Sequence, residues 1–174
     1  MRIMMAATAM GALMLGACAM TGGGAGGGDQ TAVADLITAN GQSVGRATAT
    51  AVGGDIRLVV EGRNMPPGMH GAHVHTVGRC EAPTFETAGG HWNPTTRQHG
   101  MENPAGPHAG DAPNLDVQSD GRGTLTFTLP GGTFDGLFDG DGSAMMIHAG
   151  PDDMKTDPSG NSGGRIACGV FRRA

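Results

Sequence analysis

Apolar residues recur at every second position along much of this chain. That is the repeat of a β-strand, because successive strand side chains point to opposite faces. Gly123–Leu129 alternates throughout, with Leu125, Phe127 and Leu129 on one face and Thr124, Thr126 and Thr128 on the other. Ile56, Leu58 and Val60 do the same between Arg57 and Glu61. Residues 32–39, 43–52, 115–118, 143–148 and 165–171 are also strand-like, each bounded by Gly, Asn, Asp or Pro. Turn dipeptides punctuate them: Asn40-Gly41, Gly53-Gly54, Asp120-Gly121 and Asp141-Gly142. No window carries a convincing helical period. Short strands joined by such turns predict an all-β sandwich or barrel.

Two stretches break this rhythm. Residues 76–111 and 150–164 are rich in Gly, Pro and polar residues and have no period. A connection as long as the first is rare in a compact domain unless a function orders it. The chain has 33 Gly among 174 residues, well above the usual share of about 7%. There is no three-residue Gly period, so the excess is not that of collagen; it belongs to turns and to one N-terminal run. With 5 Phe, 1 Trp and no Tyr, the core must rest on aliphatic side chains. A net charge of -5 argues against nucleic acid or an anionic membrane surface as a partner.

The N-terminus reads as a separate object. Residues 1–17 have the form of an export signal, with Arg2 as the only charge before an apolar stretch too short to span a bilayer. Leu15-Gly16-Ala17-Cys18 resembles a bacterial lipobox, which would make Cys18 the lipid-bearing first residue of the mature chain. Ala17-Cys18-Ala19 also fits ordinary cleavage after Ala19. Residues 18–30, with the run Gly22–Gly28 interrupted only by Ala25, would form a flexible tether to a domain at 31–174. The expectation is a periplasmic domain held at a membrane, preferentially the outer membrane, through Cys18 alone. Processing leaves Cys80 and Cys168, which an exported domain would pair as a disulfide. Two reduced, buried thiols are the alternative.

All seven His fall between positions 70 and 148. His73 and His75 flank Val74, so on a strand both imidazoles leave one face, half of a metal site. His148 ends the strand-like run Met145–His148, where Met145 and Ile147 can face a core and His148 the outside. Within the long loop stand His91, His99, His108 and Asp111, three imidazoles and a carboxylate that suit tetrahedral zinc. Any one of these residues alone could be a solvated side chain; seven confined to one region with a carboxylate in step point to metal. His70, before Gly71, suits a hydrogen-bonding core residue as well as a ligand.

The segments Gly68-Met69-His70-Gly71-Ala72-His73-Val74-His75, Gly90-His91-Trp92-Asn93-Pro94, His108-Ala109-Gly110-Asp111, His148-Ala149-Gly150-Pro151-Asp152-Asp153 and Gly160–Gly169 resemble, in order and spacing, the copper,zinc superoxide dismutase family. The resemblance covers residues 31–174. It implies an eight-stranded Greek-key β-barrel or sandwich with two long functional loops, a zinc loop at 76–111 and an electrostatic loop at 150–164. By position it implies His73, His75, His91 and His148 as copper ligands. His91, His99, His108 and Asp111 would be the zinc ligands, so that His91 bridges the two ions. Asp152 would link His73 to His99, Cys80 would pair with Cys168, and Arg165 would stand beside the copper. The implied activity turns two superoxide anions and two protons into O2 and H2O2 by alternate reduction and oxidation of copper. One copper and one zinc are implied per subunit, in a monomer or homodimer, with His91 and Arg165 as the catalytic residues.

Loss of Arg2 with the signal leaves the mature chain still more negative, so an anionic substrate needs a local positive funnel. Arg165 is the first candidate and Lys155 a weaker one. Ala72, Arg79, Trp92 and Ser159 depart from the family pattern, and the electrostatic loop is short; none of these touches an expected ligand. Two rival readings are a copper-binding or metal-storage domain with little turnover, and a zinc hydrolase using a metal-bound water. The second needs an open zinc position, which four protein ligands would close.

Overall fold

The computed structural model describes residues 30–174; the expected signal at 1–17, Cys18 and all but the last residue of the tether lie outside the described residues. The strands are β1 (Thr31–Ile37), β2 (Ser43–Val52), β3 (Asp55–Gly62), β4 (Gly68–His70), β5 (Ala72–His75), β6 (Leu115–Val117), β7 (Gly123–Leu129), β8 (Ala144–His148), β9 (Arg165–Val170) and β10 (Arg172–Arg173). Among the described residues the only helical pieces are single 3-10 turns at Glu86–Ala88 and Asp135–Phe138. The larger sheet has the order β5-β8-β9-β1-β2-β3-β7, with β10 beside β1, and β4 pairs with β6 in a small second sheet. Every pairing is antiparallel.

Gly68–His75 is one strand divided at Gly71: its first part pairs with β6 and its second with β8. Taking β4 with β5 and β9 with β10 reduces the strands to the eight expected of the Greek-key barrel. The connections from β3 to β4 and from β7 to β8 join strands that are not hydrogen-bonded neighbours, as a Greek key requires. Curling the sheet in this way covers edges that would otherwise template aggregation.

The alternation read from the sequence becomes the inner face. Ala32, Ala34 and Leu36 of β1, Ile56, Leu58 and Val60 of β3, and Leu125 and Leu129 of β7 are all buried in one cluster. In β2 the inward parity changes between Val44 and Ala47 because a bulge opposite Leu36 and Ile37 shifts the register. Gly53 and Gly54, both with positive φ, close the two-residue β2–β3 hairpin, a conformation that L side chains resist. Buried alanines and aliphatics fill the interior, with Trp92, Phe134 and Phe171 as its buried rings.

Candidate metal centre

β5 delivers two imidazoles to one face. Val74 enters the main core, while His73 and His75 leave the other side of the strand, where loops bury both. The zinc loop lies against this strand as an irregular extension of the sheet: Trp92 N–H donates to Val74 O at 2.8 Å and Val74 N–H to Gly110 O at 2.9 Å. Isolated bridges join His75 to His91 and His73 to Asp111. His148, at the end of β8, brings a fourth ring. Its neighbours Met145 and Ile147 face the main core as expected, but His148 is not outside; the electrostatic loop covers it and leaves it 4% exposed.

Ligand atoms of His73, His75, His91 and His148 lie within 4.8 Å of one another. His73 Nδ1, His75 Nε2, His91 Nε2 and His148 Nε2 are buried without any hydrogen-bond partner. The opposite nitrogens are engaged. His73 Nε2–H donates to Asp152 Oδ2 at 2.6 Å, His75 Nδ1–H to Gly89 O at 2.9 Å and His148 Nδ1–H to Gly163 O at 3.1 Å. Burial disfavours the cation of each ring, with the neighbouring His91 adding to it. The ring of His75 is pulled down to about 2, that of His73 to about 3 and that of His148 to about 4. The rings are therefore neutral at pH 7, with four lone pairs aimed at one point.

A second cluster converges on Asp111. Its Oδ1 lies 2.8 Å from His91 Nδ1, 3.0 Å from His99 Nδ1 and 3.3 Å from His108 Nδ1. Its Oδ2 accepts the backbone N–H groups of Gly100 and His108, both at 2.9 Å. Burial opposes the carboxylate charge, but the bonds from His91, His99 and Gly100 hold its pKa well below the usual range. The structure thus brings together both tetrads read from the sequence, with His91 in each.

Asp152 spans the two clusters: Oδ2 accepts from His73 and Oδ1 lies 3.0 Å from His99 Nε2. Burial disfavours the His99 cation, yet the hydrogen bonds and charges of Asp111 and Asp152 together outweigh it and raise that ring to about 9. Asn114 grips the backbone of Asp152 from both sides, accepting its N–H at 2.8 Å and donating to its carbonyl at 2.9 Å. Residue 160 must be glycine here: an added Cβ would stand 1.8 Å from Asp152 Oδ1.

Arg165 faces His148 across β8 and β9 because a bulge at Ile147/His148 shifts the register by one residue. Its guanidinium donates to Phe85 O and Gly89 O, each at 2.7 Å. It lines an open cavity of about 430 Å³ with His75, His91, His148 and Ser159. Lys155, the weaker candidate, places its Nζ 2.8 Å from Glu102 Oε2, both side chains exposed. His70 is a core residue whose ring spans the carbonyls of Pro66 and His148, 2.8 Å from each. Cys80 and Cys168 form a disulfide. Sequence reasoning missed Asn114 and the carbonyls of Phe85 and Gly89. Backbone carbonyls carry no sequence signal, and Asn114 meets Asp152 only through the fold.

Residues 43–171 match the family described as copper/zinc superoxide dismutase (SODC). The chain is 41% identical to superoxide dismutase [Cu-Zn] 1 of Aquifex aeolicus over 145 residues, covering 80% of this chain and 86% of that protein. It is 37% identical to superoxide dismutase [Cu-Zn] of Caulobacter vibrioides over 149 residues, 82% of this chain and 86% of the relative. Among solved structures, a SOD-like protein from Bacillus subtilis aligns with TM-score 0.74 at 38% identity, covering 79% of this chain and 96% of that one. The Cu/Zn superoxide dismutase from Brucella abortus aligns with TM-score 0.67 at 27% identity, over 82% and 99% of the two chains.

Proposed function

The chain belongs to the copper/zinc superoxide dismutase family, and from that premise we propose that it converts two superoxide anions and two protons to O2 and H2O2 with one copper and one zinc per subunit. The observation that carries this reading is the set of four buried ring nitrogens left without partners. An unpaired buried polar atom costs about 1–3 kcal/mol, so four of them aimed at one point require a guest. Neutral imidazole nitrogens suit copper, and three Nδ1 atoms with one carboxylate oxygen suit zinc. The residues fit both ions: His73, His75, His91 and His148 for copper, and His91, His99, His108 and Asp111 for zinc. Copper would supply a centre that takes up and returns one electron, and redox-silent zinc the extra positive charge that favours loss of the second proton of His91.

The protein's own groups do the rest. Asp152 fixes the tautomers of His73 and His99, and the carbonyls of Gly89 and Gly163 do so for His75 and His148. Asp111 holds Nδ1 of His91, which leaves Nε2 as the atom where that ring takes up and releases a proton. Arg165, clamped by two carbonyls at the cavity, binds and orients the anion.

Metal analysis together with superoxide dismutation by the purified chain tests the reading, with His148→Ala as the comparison. The expected result is one copper and one zinc per chain and rapid, cyanide-sensitive turnover. His148→Ala should lose most of its copper and turnover while keeping its zinc. Zinc alone with no turnover in the unaltered chain would refute the reading.

A further inference from the structure

In the Asp111 cluster every ring points Nδ1 inward, so each Nε2 faces outward from the cluster. His91 turns its Nε2 into the other tetrad, and His99 meets Asp152. For His108 the facing group is a residue that neither tetrad contains. Asp157 Oδ1 stands 3.8 Å from His108 Nε2, at ion-pair range. The same oxygen accepts the backbone N–H of His99 at 2.6 Å. Asp157 lies in the electrostatic loop immediately before Pro158 and Ser159, which line the cavity. The ring it faces is buried, with 8% of its side chain exposed, while Asp157 itself is 49% exposed.

We infer that Asp157 is a positioning residue for the zinc site, holding the backbone of His99 through one carboxylate oxygen and setting the charge of that oxygen against the outer face of His108. The inference rests on the reading that zinc occupies the Asp111 cluster. A carboxylate behind a metal-bound imidazole fixes the ring's orientation and strengthens it as a donor. Asp152 does this for His99 by a hydrogen bond from one side of the cluster; Asp157 stands 3.8 Å from His108 on the other side and acts on that ring through its charge. The electrostatic loop therefore takes part in zinc binding at two points although it supplies none of the four ligands. The simpler role for Asp157 is that of a backbone cap on His99 N–H, a common use of Asp in loops. Two substitutions separate these roles. Asp157→Asn keeps an acceptor oxygen for that N–H and loses the charge facing His108, and Asp157→Ala loses both.

The test titrates the metal-free chain with one equivalent of zinc against a chromophoric chelator, and separately records the visible spectrum with Co(II) as the probe. His108→Ala serves as the control for a lost zinc site, and thermal unfolding of the metal-free variants checks that they fold. Asp157→Ala should weaken zinc about 10–100-fold and Asp157→Asn about 10-fold. The Co(II) bands should shift in both variants, and metal-free Asp157→Asn should unfold where the unaltered chain does. Zinc affinity and Co(II) bands in Asp157→Asn equal to those of the unaltered chain would reduce Asp157 to a cap and overturn the inference alone. An unaltered chain that binds zinc no better than His108→Ala would overturn the zinc reading itself, and the inference with it.

Discussion

Arg165 keeps its charge because its partners are neutral. Both of its hydrogen bonds from the guanidinium go to carbonyl oxygens, so no carboxylate is hydrogen-bonded to the cation at the cavity wall, and only the charge of Glu86 acts on it from a distance. The chain as a whole is negative, and Lys155 is tied to Glu102. On the proposed function, Arg165 is the first candidate to attract the anion, over a range of about 10 Å at 0.1 M salt. Arg165→Ala should lower the dismutation rate at low ionic strength by about tenfold or more while leaving copper content unchanged. The variant should also respond less to added salt than the unaltered chain, as read in rates across an ionic-strength series. Equal losses of rate and copper would remove the guiding role. The residues legible from sequence alone were those whose chemistry is rare in bulk: imidazoles crowded into one region and a carboxylate in step. Asn114 and Asp157 were not legible, because an amide or an acid in a loop is ordinary until the fold sets it against Asp152 or His108.

At the scale of elements, the disulfide ties the zinc loop to β9. Cys80 and Cys168 are 88 residues apart, and the segment that follows Cys80 carries both Phe85 and Gly89. Those two carbonyls hold Arg165, and Gly89 O also fixes the tautomer of His75. Chain entropy for a closed loop of this length gives about 4 to 5 kcal/mol of stabilisation. The double variant Cys80→Ser/Cys168→Ser should lose about that much in denaturant unfolding, and its activity should fall because Arg165 and His75 lose a fixed anchor. An unchanged unfolding midpoint would show that the loop is held without the bond. The long strands were legible from their period of two, and the bulges at Gly45 and Ile147/His148 were not. A bulge depends on the partner strand, and here one of them decides that Arg165 faces His148. β4, with three residues, is too short to show any period. The burial of His148 also escaped the strand pattern, since that pattern separates two faces and carries no information about a loop laid over one of them.

The whole metal-free molecule carries its functional histidines as a strain on its stability, and pH reveals it. His73, His75, His91 and His148 have pKa values lowered chiefly by burial. Below about pH 6.5, the ordinary histidine value, the unfolded chain takes up protons that these folded rings refuse. Stability must therefore fall as the pH drops from there towards about 4, where the His148 ring begins to titrate, and further below it. Asp111 and Asp152, both lowered, add a loss of the same sign once the pH passes below the ordinary carboxylate range. His99 acts in the opposite sense. Raised to about 9, it binds a proton more tightly folded than unfolded, so its contribution is complete below pH 6.5 and is lost as the pH rises to 9. The two trends meet near neutrality. Thermal unfolding of the metal-free chain should show its highest Tm near pH 6.5, lower values at pH 5 and pH 9, and a shallower alkaline decline in Asp152→Asn, where His99 loses one of its two carboxylates. Metal ions and protons compete for these same nitrogens, so saturation with copper and zinc should raise Tm at every pH and flatten the curve between pH 6 and pH 9. A Tm for the metal-free chain that climbs steadily from pH 9 to pH 5 would contradict the sign derived for the four buried rings.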